Sequence, residues 1–290
     1  MNVAGTIAVT PGLSESQRTA LVSLLADEDP AVYQTIREMI LSQGVSAASW
    51  LRPHTLSRDP TLRRRAQDIV LQLDRQLADN RFLAFCLQHG EEFDLEAGAW
   101  LFAQTKHPGI NVEAYQALID SFASDLRERL DLRGDARNVL NGINQYLFHD
   151  LHFVGNEAEY YDPENSYLNR VLDRRKGNPI NLCLLYLLVA RRLKLPMTGI
   201  GMPGHFVCRY QSSSVEIYVD AFNRGKLLTK ADCIQFLLKG NYGLRDAYLG
   251  PASPRKMLLR ICNNLLPIYQ QLEQADDATR LQRYLVALDR

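Results

Sequence analysis

GNPINLCLLYLLVARRLKLP at 177–196, followed by PGHFVCRY at 203–210 and EIYVDAFN at 216–223, is the stretch whose reading decides the fold. From Ile180 to Leu193 apolar residues fall on nearly every side of a helix, and such a helix belongs inside a domain rather than on it. Asn178 is placed to cap it, and Pro179 takes the first helical position, where a missing N–H costs no intrahelical bond. Arg191, Arg192 and Lys194 suit the negative end of the helix dipole, and Pro196 ends the segment. The runs His205–Tyr210 and Val215–Val219 are rich in Val, Ile, Phe and Tyr, and the polar tract Gln211–Ser214 parts them, which predicts a hairpin. A turn centred on Ser212-Ser213 sets His205 opposite Asp220.

An imidazole facing a carboxylate has its tautomer fixed by it. Cys183, near the positive end of the helix and beside that histidine, would have its thiolate favoured. Cysteine, histidine and aspartate in this order are the groups of a cysteine hydrolase or acyl transferase. The same residues also have a plain structural reading. Cys183 is then a small buried hydrophobe, and Asp220 serves only to satisfy a core histidine.

The segment from Asn141 to Asn223, through INQYLFHDLHFVGN, YYDPENSYLNRVLDRRKGNPINL and PGHFVCRY, resembles the SirB-type branch of the transglutaminase-like proteins. The resemblance implies a papain-like α+β core with Cys, His and Asp on a helix start and two successive strands. His205 and Asp220 match the family's His and Asp. The nucleophile position, counted back from Leu193-Lys194-Leu195-Pro196, is Pro179; Cys183 lies one helical turn further in, about 6 Å along the same face. The resemblance also implies that the segment around Asn165 lies beside the cleft, and Asn178, Pro179 and Gly204 join it as cleft residues.

Two functions follow. The first is a non-catalytic regulatory or scaffold protein whose degenerate cleft recognises a peptide or protein partner. The second is a cysteine-dependent amide hydrolase or acyl transferase with Cys183 as nucleophile, His205 as general base and Asp220 as orienter. A further possibility is direct activation of water by His205 and Asp220. None of them calls for a cofactor.

The 290 residues allow one large or two moderate domains. With 33 basic and 33 acidic residues there is no net charge, so no global electrostatic case exists for nucleic acid or an acidic membrane surface. The five cysteines, scattered through apolar runs, are the usage of a reducing cytosol. MNVAGTIAVTPGLSESQ at the N-terminus lacks the basic start and apolar core of a signal peptide, and no stretch has the length of a membrane helix. A cytoplasmic location is therefore expected.

The expected organisation is mostly helical α+β: an all-helical region 1–134, a transglutaminase-like core with antiparallel strands 135–250, and a helical tail 251–290. Asp29-Pro30 and Asp59-Pro60 each open a helix, with the aspartate as cap and the proline in the first turn. These are either two HEAT-like units or two independent helices with a shared start. ARNVLNGINQYLFHDLHFVGN (136–156) predicts a helix ending near Gly155, with His149 and His152 on one face; no third ligand is placed, so no metal is expected. DRRK and ARRLK read as solvated helix ends rather than substrate clamps. The tail from Ser253 resembles one tetratricopeptide-type hairpin turning at Ala275-Asp276-Asp277, packed against the core.

Overall fold

The computed structural model describes residues 13–289; the N-terminal stretch read above for a signal peptide lies mostly outside the described residues. The chain divides into two compact units, one up to Leu77 and one from Ala78. The expected boundaries at 134 and 250 both fall inside the second.

In the first unit, α1 (Glu15–Leu25), α2 (Pro30–Ser42), α3 (Ser46–Leu51) and the first part of α4 (Pro60–Gln88) bury Leu25, Ile40, Leu51, Ile69 and Leu73 against one another. The helix starts follow the sequence pattern. Asp29 accepts from Ala31 N at 2.8 Å, Asp59 from Thr61 N at 2.8 Å, and a proline stands at each first position. The sequence pattern in this unit is helical, and among its described residues the structure forms helices and no strand.

The second unit continues α4 and adds α5 (Leu95–Lys106), α6 (Val112–Arg129), α7 (Ala136–Asn144), β1 (Val154–Gly155), α8 (Leu168–Arg174), β2 (Lys176–Gly177), α9 (Pro179–Arg192), β3 (Met197–Ile200), β4 (Val207–Gln211), β5 (Glu216–Asp220), β6 (Lys226–Leu228), α10 (Lys230–Lys239), α11 (Pro254–Gln271) and α12 (Ala275–Leu288). Every residue of α9 from Pro179 to Ala190 is buried. It packs against α6 on one side and β3 and β4 on another, which is why it needs no polar face. β3, β4, β5 and β6 form an antiparallel sheet in that order, while β1 and β2 form a short parallel pair. α11 packs against α12, α5 and α9, so the tail shares the core of the strands.

Three local expectations change. The hairpin turn centres one residue later than expected: Ser212 N donates to Val215 O at 3.0 Å, and Gln211 pairs with Glu216. Cys208 then lies opposite Val219, and His205 precedes β4 instead of standing in it. The helix after Ala136 ends at Asp150, not near Gly155. Its last turn, Gln145–Asp150, is a π-helix; His152 takes a left-handed φ of 60°, and Phe153 turns into the core. His149 and His152 therefore do not share a helical face, and among the described residues no cluster of metal-ligating side chains occurs. In the tail, Glu273 with φ 56° makes the turn, and Ala275 already belongs to α12.

The basic runs are exposed at Lys176, Arg191 and Lys194, as expected of helix ends, and several of their arginines also form ion pairs. Arg191 and Arg192 both bind Glu96 of α5, whose side chain is only 3 % exposed, and Arg174 binds Asp162 at 2.6 Å. Among the described residues no helix is long and apolar enough to cross a membrane.

Candidate functional site

The start of α9, the loop before β4 and the end of β5 converge on a cleft of about 650 Å³. Gly204 supplies the turn that delivers His205: its φ is +75°, and a Cβ there would run into Tyr242. The His205 backbone N–H donates to Met202 O at 3.2 Å and so anchors the loop.

His205 Nε2 lies 2.9 Å from Asp220 Oδ2. Nε2 makes no hydrogen bond of good geometry, so the contact is one of proximity more than a straight hydrogen bond. With Nε2 turned to the carboxylate, Nδ1 is the nitrogen left for an occupant of the cleft. Asn223 completes the arrangement, donating from Nδ2 to Asp220 Oδ2 at 2.7 Å and from its backbone N to Oδ1 at 3.2 Å. Burial pushes the Asp220 carboxyl up, but His205 and Asn223 more than offset it and hold the group below its ordinary value. The Asp-x-x-Asn spacing of an Asx-type turn is the signal that could have marked Asn223 in the sequence. Behind the turn, Asn144 of α7 donates to Gly225 O at 2.6 Å. No local pattern in the chain indicates that contact.

Asn178 caps α9, its Oδ1 accepting from Asn181 N at 3.0 Å, and Pro179 at the first helical position lines the cleft with His205 and Asp220. Cys183 does not reach the cleft. It is 0 % exposed, its Sγ donates to Phe206 O at 3.4 Å, and the Cys208 thiol donates to the Cys183 carbonyl at 3.5 Å. Burial drives the Cys183 thiol far above its ordinary range, and the neighbouring Cys208 and Asp220 add to the rise. Desolvation here outweighs the helix dipole that the sequence pattern brings to mind.

Asn165 and Asn178 stand behind the wall of the cleft. Asn165 Nδ2 donates to Glu159 O at 2.7 Å, its Oδ1 accepts from Asn156 Nδ2 at 2.9 Å, and Asn178 Nδ2 donates to Ser166 Oγ at 3.1 Å. Together they hold the loop that carries Tyr160. A separate cavity of about 400 Å³ lies between α9 and β3, with Leu188, Met197 and Met257 in its walls; it contains no imidazole or thiol.

The order and placement of these elements define a class. Residues 113–263 match the transglutaminase-like superfamily, and the chain belongs to it. A UPF0162 protein of Xylella fastidiosa is 34% identical over 197 residues, covering 66% of this chain and 70% of that one. A UPF0162 protein of Pseudomonas aeruginosa is 28% identical over 203 residues, covering 68% and 73%. F-box only protein 21 of Mus musculus is 37% identical over 153 residues, half of this chain and 24% of that protein. No solved structure matches the chain.

Proposed function

We propose that this protein is a non-catalytic member of the superfamily, of the SirB-type branch, which holds a peptide or protein segment in the cleft beside His205 and Asp220. The observation that carries the reading is the occupant of the helix start. Pro179 stands where a nucleophile would face His205, and the thiol one turn further in, Cys183, is enclosed and bonded to Phe206 O. A proline offers neither a nucleophile nor a donor for an oxyanion. The recurrence of the segment as about a quarter of F-box only protein 21 supports a module used within larger chains. The HEAT-like N-terminal units and the tetratricopeptide-like tail belong to the same proposal as helical supports.

A second reading, a Cys183-dependent amide hydrolase or acyl transferase, is favoured by the His205–Asp220 contact. One experiment divides the two: alkylation by iodoacetamide across pH, in the native protein and in His205→Ala, with sites read by mass spectrometry. The expected result is labelling of Cys183 no faster than of Cys86 or Cys262 until the protein is denatured. Fast, selective labelling of Cys183 at neutral pH that collapses in His205→Ala would establish a histidine-activated thiolate and end the non-catalytic reading.

A further inference from the structure

Four aromatic side chains are exposed among the described residues: Tyr160 at 41 %, Tyr161 at 69 %, Phe236 at 38 % and Tyr242 at 43 %. Tyr160 and Phe236 line the His205 cleft, and Tyr161 and Tyr242 pack against them at its margin. With Phe222 and His205 they form a continuous band of rings across it. Successive ring centroids lie 5.3 Å apart from Tyr161 to Tyr160, 6.0 Å to Phe222, 6.3 Å to His205, 5.6 Å to Phe236 and 6.4 Å to Tyr242. Exposed aromatic surface gathered in one place marks a contact surface, because such rings bury much area for little lost rotamer freedom.

The charges beside the band have one sign in excess. Lys226 and Lys239 line the cleft, and Arg260 stands at its edge, donating to Met202 O at 3.4 Å. Its guanidinium also acts on the Tyr160 phenol. Among the described residues no carboxylate forms an ion pair with any of the three, whereas Arg174, Arg191 and Arg192 each have one. Of the two carboxylates that also line the cleft, Asp220 faces His205 and Asn223, and Asp232, which accepts from Thr229 Oγ1 at 2.6 Å and feels the Lys226 ammonium, keeps its charge; set against it, the three cations are in excess.

We propose that the band seats an extended acidic peptide segment of a partner protein, with apolar or aromatic side chains on the rings and carboxylates at Lys226, Lys239 and Arg260. This inference rests on the peptide-binding reading above and narrows it to one partner chemistry. Basic and aromatic residues together also suit single-stranded nucleic acid. The rings here do not make base-stacking platforms, since three successive pairs from Tyr161 to His205 meet at 81°. Three cations on a chain without net charge also make a poor track for a phosphate backbone.

The test uses the full chain at low salt and fluorescein-labelled peptide pools of about twelve residues, long enough at ~3.3 Å per residue to span the band. Leu, Phe and Val alternate in the pools with Asp/Glu, with Ser/Gln or with Lys/Arg, and a labelled oligothymidylate is the fourth probe. Fluorescence anisotropy is expected to show the acidic pool binding about tenfold or more tighter than the Ser/Gln pool, with the gap narrowing as salt is added. Lys226→Glu/Lys239→Glu removes that preference, and Phe236→Ala weakens every pool, with circular dichroism confirming that both variants are folded. Equal binding of acidic and Ser/Gln pools, still lost in Phe236→Ala, overturns the acidic specificity and leaves the peptide cleft standing. Preference for the Lys/Arg pool or for oligothymidylate overturns the inference, and absence of binding by every peptide pool overturns the peptide reading with it.

Discussion

Oδ2 of Asp220 serves two partners at once, His205 Nε2 at 2.9 Å and Asn223 Nδ2 at 2.7 Å, so the direction of the imidazole depends on a residue outside the His–Asp pair. Asn223→Ala removes one charge-assisted donor while leaving the backbone N–H on Oδ1. The Asp220 carboxyl, followed by NMR, is expected to titrate at a higher pH in that variant. An unchanged titration would remove Asn223 from the site. At this scale the sequence carried Asp220 at the end of its strand, while His205 lies in the loop before β4 and reaches the carboxylate from there. It could not carry the state of Cys183. Whether a thiol at a helix start is activated or inert depends on what covers it, and here Phe206, Cys208 and the sheet exclude water from it.

Arg255 of α11 is 5 % exposed and donates to no carboxylate. Its guanidinium serves the carbonyls of Cys86 and His89 at the end of α4 and of Ala287 and Leu288 at the end of α12, at 3.0, 3.0, 2.5 and 2.8 Å. One buried cation thus satisfies the orphan carbonyls of two helix C-termini and sits at their negative poles. Arg255→Ala is expected to cost about 3 kcal/mol or more, since it leaves buried acceptors unpaired. Arg255→Lys should recover only part of this, because an ammonium cannot reproduce the fork; urea denaturation midpoints measure both. The elements joined here were each legible: α11 and α12 by their resemblance to a helix hairpin, α9 by its cap, proline and unbroken apolar run. The π-turn before Asp150 was not. Its Leu151 N to Tyr146 O bond, at 2.9 Å, is held in place by Arg175, which donates to Leu151 O at 2.6 Å from a later loop.

For the molecule as a whole, several carboxyls are more acidic folded than unfolded. His107 and Arg170 hold Glu164 at about 2, with burial opposing them, and Asp220 and Asp94 are also lowered, against burial, by their partners. A depressed carboxyl contributes stability that is complete above its unfolded value and is lost as pH falls toward the folded one. Stability measured in urea is therefore expected to hold down to about pH 4.5 and then decline toward pH 2. Glu164→Gln should make that decline shallower, and an identical slope in the variant would mean that Glu164 does not contribute to it. By itself the sequence determined the capped helices and the hairpin, because each depends on residues close together in the chain. Only the tertiary structure decided that Cys183 is enclosed, that the turn centres one residue later, that rings from four separate segments meet at one cleft, and that the units divide between Leu77 and Ala78 inside the continuous α4. These depend on which side chains pack together across long separations, and local propensity carries no record of that.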